Sequence, residues 1–152
     1  MGSITISLLK KEEIPTCAAL VSKSFGHDAP FVDICFPQHD TPSGQASLCK
    51  RLAAWQESSP ESTFLKAVTK DHDGQEVIAG FGIWTLMKEA PPAEIEKVER
   101  VEEVWPDEDD REFMGRLWRK YVIPRTQIIE KSAGAGVYGK SELSSDAGGK
   151  DS

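Results

Sequence analysis

His27, Asp28, Asp33, Cys35, His39 and Asp40 lie within one fourteen-residue stretch. Imidazole, carboxylate and thiol are the side chains that hold transition metals. The spacing argues the other way, because no paired C-x-x-C or H-E-x-x-H pattern is present. The expectation is therefore a polar loop with one buried cysteine and no metal ion. Cys35 with His27 or His39 has the composition of a nucleophile pair. No local signature supports it, and buried thiols are usually inert. A serine-hydrolase elbow, G-x-S-x-G, is absent.

Other candidates have simpler readings. Asp71-His72-Asp73-Gly74 carries calcium-loop residue types, but its glycine comes two positions early and no glutamate follows at the required distance. It reads as a hairpin turn. Ala133-Gly134-Ala135-Gly136 lacks the Lys-Ser/Thr of a phosphate loop. The acids of 94–112 read as a solvated face. Phe31 and Phe36, before the second helix, and Phe81 and Trp84, on an apolar run, are candidates to line a pocket, with core packing as the default.

These residues need elements to position them. Ile4, Ile6 and Leu8 alternate with Thr5 and Ser7, which predicts a short half-buried strand. Ile14, Cys17, Ala18, Val21 and Phe25 recur at helical spacing, with Pro15 in the first turn and Gly26 as a stop. Residues 27–40 read as a loop or broken helix. Thr41-Pro42 caps a helix carrying Leu48, Leu52 and Trp55, which Ser58-Ser59-Pro60 ends. Phe64 to Thr69 and Val77 to Met87 form a hairpin, and the second strand is apolar enough to predict burial on both faces. Ile95, Val98 and Val101 line a short helix in an acidic, solvated piece. Phe113, Leu117, Trp118 and Tyr121 predict the buried face of a further helix. Pro124 is expected to break it before a short last helix at Ile128-Ile129. A fourth strand is approached by Tyr138, and 139–152 reads as a disordered polar tail.

The chain has 152 residues and a net charge of -7. Its acidity is local. Residues 89–112 hold eleven acids and three bases, a net of -8, which leaves +1 for the rest. Such a balance argues against nucleic acid as a partner. No stretch reaches the ~20 apolar residues of a membrane span. Three cysteines and no signal peptide point to a reduced, intracellular compartment.

I-T-I-S-L-L-K-K-E-E-I-P-T-C-A-A-L-V-S-K-S-F resembles the opening strand and first helix of the GNAT superfamily of acyl-CoA-dependent N-acyltransferases. F-L-K-A-V-T-K-D-H-D-G-Q-E-V-I-A-G-F-G-I-W-T-L is similar to that family's second and third strands, with the run Ala79-Gly80-Phe81-Gly82. The insert at 89–112 resembles a fungal subgroup. The resemblance implies an α+β fold over residues 1–138. It has an antiparallel or mixed sheet in strand-helix-helix-strand-strand order. It implies acetyl transfer from acetyl-CoA to a small-molecule or peptide amine. The acceptor side would fall at Asp28, Phe31, Phe36, Phe81 and Trp84, with Asp28 attracting an ammonium group. The family's pyrophosphate-binding turn, Arg/Gln-x-x-Gly-x-Gly/Ala after the fourth strand, has no counterpart after Tyr138. No catalytic or cofactor residue carries over. The expectation is a domain incomplete near its fourth strand, inactive as this chain, and prone to self-association through an open sheet edge. The alternative is a non-catalytic interaction module.

Overall fold

The structure is a computed structural model and describes residues 3–144. It is an α+β fold around one four-stranded antiparallel sheet in the order β1-β2-β3-β4. The strands are β1 (Thr5–Leu8), β2 (Ser62–Lys70), β3 (Glu76–Met87) and β4 (Val137–Ser144). Three helices separate β1 from β2: α1 (Ile14–Phe25), α2 (Pro30–Cys35) and α3 (Pro42–Ser58). Two more, α4 (Val101–Val104) and α5 (Glu108–Lys131), separate β3 from β4. No helix among the described residues is long and apolar enough to cross a membrane.

The β2–β3 hairpin forms where the turn chemistry places it. Asp71 accepts from the backbone N–H groups of Asp73 at 3.0 Å and Gln75 at 2.9 Å. Gly74 takes φ 79°, which a side chain disfavours. Thr41 caps α3 by accepting from Gly44 N–H at 3.1 Å. α1 stops at Gly26, with φ 50°.

The main core joins Ile14, Cys17, Ala18 and Val21 of α1 to Leu48 and Leu52 of α3 and to Phe64, Phe81 and Ile83 of the sheet. A second core gathers Cys35, Ile95, Trp105 and Met114. Phe36 packs against both.

Several expectations need correction. The β1 side chains Ile6 and Leu8, with Ile4 before them, are exposed rather than half-buried, at 60%, 67% and 67%. β3 is buried on one face only: Phe81 and Ile83 face the helices, whereas Trp84 is 38% exposed. An apolar run reports hydrophobicity, not which faces find a cover. The acidic segment is not merely a solvated piece, because Ile95 and Trp105 are buried at 4% and 1%. Trp105 Nε1–H donates to the Ile34 carbonyl at 2.6 Å.

α5 runs unbroken through Pro124. Pro124 and Lys120, whose carbonyl the proline cannot serve, are both exposed, so water can satisfy that group. The buried face of α5 is Met114, Val122 and Ile129, while Phe113 and Tyr121 are 48% and 36% exposed. Residues 27–40 contain α2 as a formed helix. β4 takes residues 139–144 from the segment expected to be tail. The remainder, 145–152, lies outside the described residues.

Candidate functional site

Two imidazoles from the 27–40 segment converge on one carboxylate oxygen of Asp33. His27 Nδ1 lies 2.8 Å from Asp33 Oδ1, and His39 Nε2 lies 3.0 Å from the same atom. His27 Nε2 reaches Asp40 Oδ2 at 3.2 Å. His39 Nδ1 reaches Ser22 Oγ, on α1, at 2.9 Å. The two rings are 5.3 Å apart between centroids.

The local backbone explains the convergence. Pro30 opens α2 and places Asp33 in its first turn. The chain leaves α2 at Phe36 and reverses through Gln38, whose φ is 54°. That reversal turns His39 back under α2. The Gln45 side-chain amide donates to the His39 carbonyl and to the Ala18 carbonyl, tying the reversal to α1.

His39 is fully buried, and both its ring nitrogens are engaged. A carboxylate only accepts, so Nε2–H donates to Asp33. His27 is largely exposed, at 65% of its side chain, and Asp33 is open to solvent at 37%. Its hydrogen bond to Asp33, and then that to Asp40, raises the His27 pKa above 6.5. The same contacts hold Asp33 and Asp40 below their usual 3.8, His27 being the largest influence on each. This is a carboxylate–imidazole network, partly in water and partly in the core.

Ser22–His39–Asp33 has the residue types of a hydrolytic triad, but not its surroundings. Ser22 sits inside α1, where neighbouring backbone N–H groups are committed to the helix and cannot form an oxyanion hole. His39 is sealed from any substrate. The Cys35 nucleophile reading also fails, because burial pushes that thiol up to about 11, opposite to an activated cysteine.

The five acceptor-side candidates are not brought together. Phe81 is in the main core, at 6% exposure. Trp84 is three residues further along β3 and so on the opposite face. Phe36 lies between the two cores, Phe31 is 55% exposed on α2, and Asp28 is exposed before it. An open groove does occur at the acidic insert, lined by Glu96, Glu102, Glu108, Arg111, Glu112 and Arg119, and it reads as a solvated face.

Ser22 was missed by sequence reasoning, since a serine at a polar position of α1 carries no distinguishing signal. His27, Asp33 and His39 were visible as residue types. Their convergence depends on a backbone reversal that spacing does not encode.

No protein-family model matches the chain, and neither the curated proteins nor the solved structures include a match.

Proposed function

We propose that this chain is a GNAT-like domain, related to acetyl-CoA-dependent N-acetyltransferases that act on amines, and that as it stands it does not transfer acetyl groups. The observation that carries the reading is the path of the chain. Helices intervene between β1 and β2, and β2, β3 and β4 then add in order to one antiparallel sheet. This is the order that the sequence resemblance implies.

The residues present do not fit acetyl-CoA. The Gly-x-Gly run adjoining β4 in the chain, Gly134-Ala135-Gly136, precedes the strand rather than following it, and Gly80-Phe81-Gly82 lies within β3. Gly134 and Gly136, with φ 85° and 80°, turn α5 into β4. A Cβ on Gly136 would meet Leu86 Cδ1 at 3.0 Å, so that turn faces packed side chains, not a phosphate. Calorimetry with acetyl-CoA on the 152-residue chain tests this. No binding is expected up to about 1 mM cofactor. Micromolar binding would overturn it.

A second reading, an interaction module, is favoured by the uncovered sheet face. Ile6, Leu8, Trp84 and Tyr138 share that face by register and are all exposed. The occupant proposed is a second copy of the chain. Sedimentation should then show a concentration-dependent dimer that Ile6→Glu abolishes. A monomer at about 100 μM would exclude it.

A further inference from the structure

Asp33 Oδ1 is flanked by two imidazole nitrogens at 2.8 and 3.0 Å. Each of His27, Asp33 and His39 offers one ligand atom, and the three atoms lie within 4.8 Å of one another. We propose that His27, Asp33 and His39 form a binding site for a divalent transition-metal ion of the zinc class. This inference stands apart from the acyltransferase reading and needs no part of it.

Two imidazoles and one carboxylate are a donor set for such a metal, and three protein ligands leave a fourth position for water. Zinc–ligand bonds of about 2.0–2.1 Å in a tetrahedron hold the ligand atoms about 3.3 Å apart. The two separations from Asp33 Oδ1, 2.8 and 3.0 Å, are a few tenths of an ångström shorter, and the two imidazole nitrogens lie within 4.8 Å of each other. Small outward movements therefore make room, and exposed His27 is free to supply them. At His27 the ion takes the place of the Nδ1 proton, which passes to bulk water, and at His39 the neutral ring then carries its one proton on Nδ1 toward Ser22 Oγ, leaving Nε2 to the ion.

The outer contacts are those a metal-bound imidazole needs. A ligating histidine generally gives its second ring N–H to a carboxylate or another acceptor, which fixes the ring. His27 Nε2 already faces Asp40 at 3.2 Å, and His39 Nδ1 already faces Ser22 Oγ at 2.9 Å. Burial of His39, its engagement by Ser22 and the Gln45 contact to its carbonyl preorganise one ligand. Asp33 and His27 open the site to solvent, which gives an ion its entry.

The test uses the full chain, free of any histidine tag and stripped with chelator. Zinc chloride is titrated by calorimetry, and cobalt is titrated while its visible absorption is followed. One ion per chain is expected, with the intense cobalt bands of a tetrahedral site. His27→Ala and Asp33→Asn each weaken binding by about tenfold or more, and Asp40→Asn by about tenfold. The His27 and Asp33 side chains are solvent-accessible, so these variants are expected to fold, which circular dichroism checks. His72→Ala, at the distant hairpin turn, leaves binding unchanged. No binding at about 1 mM zinc, or binding that survives either His27→Ala or Asp33→Asn, overturns the proposal.

Discussion

Gln38 places its carbonyl oxygen where a side chain on Gly44 would begin. A Cβ there would lie 1.8 Å from that oxygen and 2.3 Å from the carbonyl carbon. Gly44 is in the first turn of α3, where alanine ordinarily gains about 1 kcal/mol over glycine through helix propensity. Here the obstacle is backbone, so the clash outweighs propensity. Gly44→Ala should destabilise the chain by about 1–3 kcal/mol, measured by urea unfolding. It should also displace the reversal at Gln38 and so disturb His39. A gain in stability would show that the two segments are not held this closely.

Arg51 should resist replacement by lysine. Its guanidinium donates to Glu99 at 3.0 Å and to the Cys35 carbonyl at 2.6 Å. It also lies over the rings of Phe36 and Trp105, at 5.3 and 5.4 Å from their centroids. An ammonium keeps the charge but loses the planar fork and the stacking. Arg51→Lys should cost about 1–2 kcal/mol in denaturant unfolding and shift Trp105 fluorescence. An unchanged emission spectrum would argue against the stacking.

The three thiols should react at different rates. Burial pushes Cys17 up to about 12 and Cys35 up to about 11. Cys49 is only partly buried, and its pKa is also raised by burial. With iodoacetamide at about pH 8, one thiol should label in the native chain and the other two only in urea. Mass spectrometry would locate the early label on Cys49. Early labelling of Cys17 would contradict the packing of α1.

Stability should fall on acidification partly through Glu13. Its carboxylate accepts from Lys66, which is the largest cause of its shift, and from Lys10 N–H at 2.9 Å. These contacts hold its pKa below 4.5 in the folded chain. A depressed carboxylate stabilises the fold above its unfolded pKa. That contribution is lost as pH falls below 4.5 and through the folded value. Thermal melts between about pH 7 and pH 3 should show a shallower decline for Glu13→Gln than for the native chain. Identical slopes would remove Glu13 as a contributor.

The α+β order was legible because its signals are local. Asp71 and Gly74 specify their turn by their own bonds and dihedrals, and Thr41 caps α3 directly. Burial was less legible, since it depends on what covers a face. Ile6 and Leu8 alternate as a half-buried strand should, yet the sheet face they occupy is exposed. On α5, Leu117 and Trp118 of the expected face do pack against the second core, whereas Phe113 and Tyr121 are exposed and Met114 and Val122 are buried instead. On a highly charged helix with apolar residues on several sides, tertiary contacts choose the face. At the candidate site the residue types were readable, but Ser22 and the reversal at Gln38 were not. The Ser22 contact depends on long-range packing of the 27–40 segment against α1, and the reversal on a backbone path that spacing does not encode.

Phe36 touches the main core on one side and the Trp105 core on the other. Two cores that share one ring and one arginine form two cooperative units with a narrow joint. The unit around Trp105 has the smaller store of buried apolar contacts, so it should open first, as a sub-global event below the global unfolding free energy. Amides of α4 and the first turns of α5 would then exchange hydrogen through that opening, while those of α1 and β3 wait for the whole chain. A Phe36→Ala chain would widen the gap between the two exchange classes.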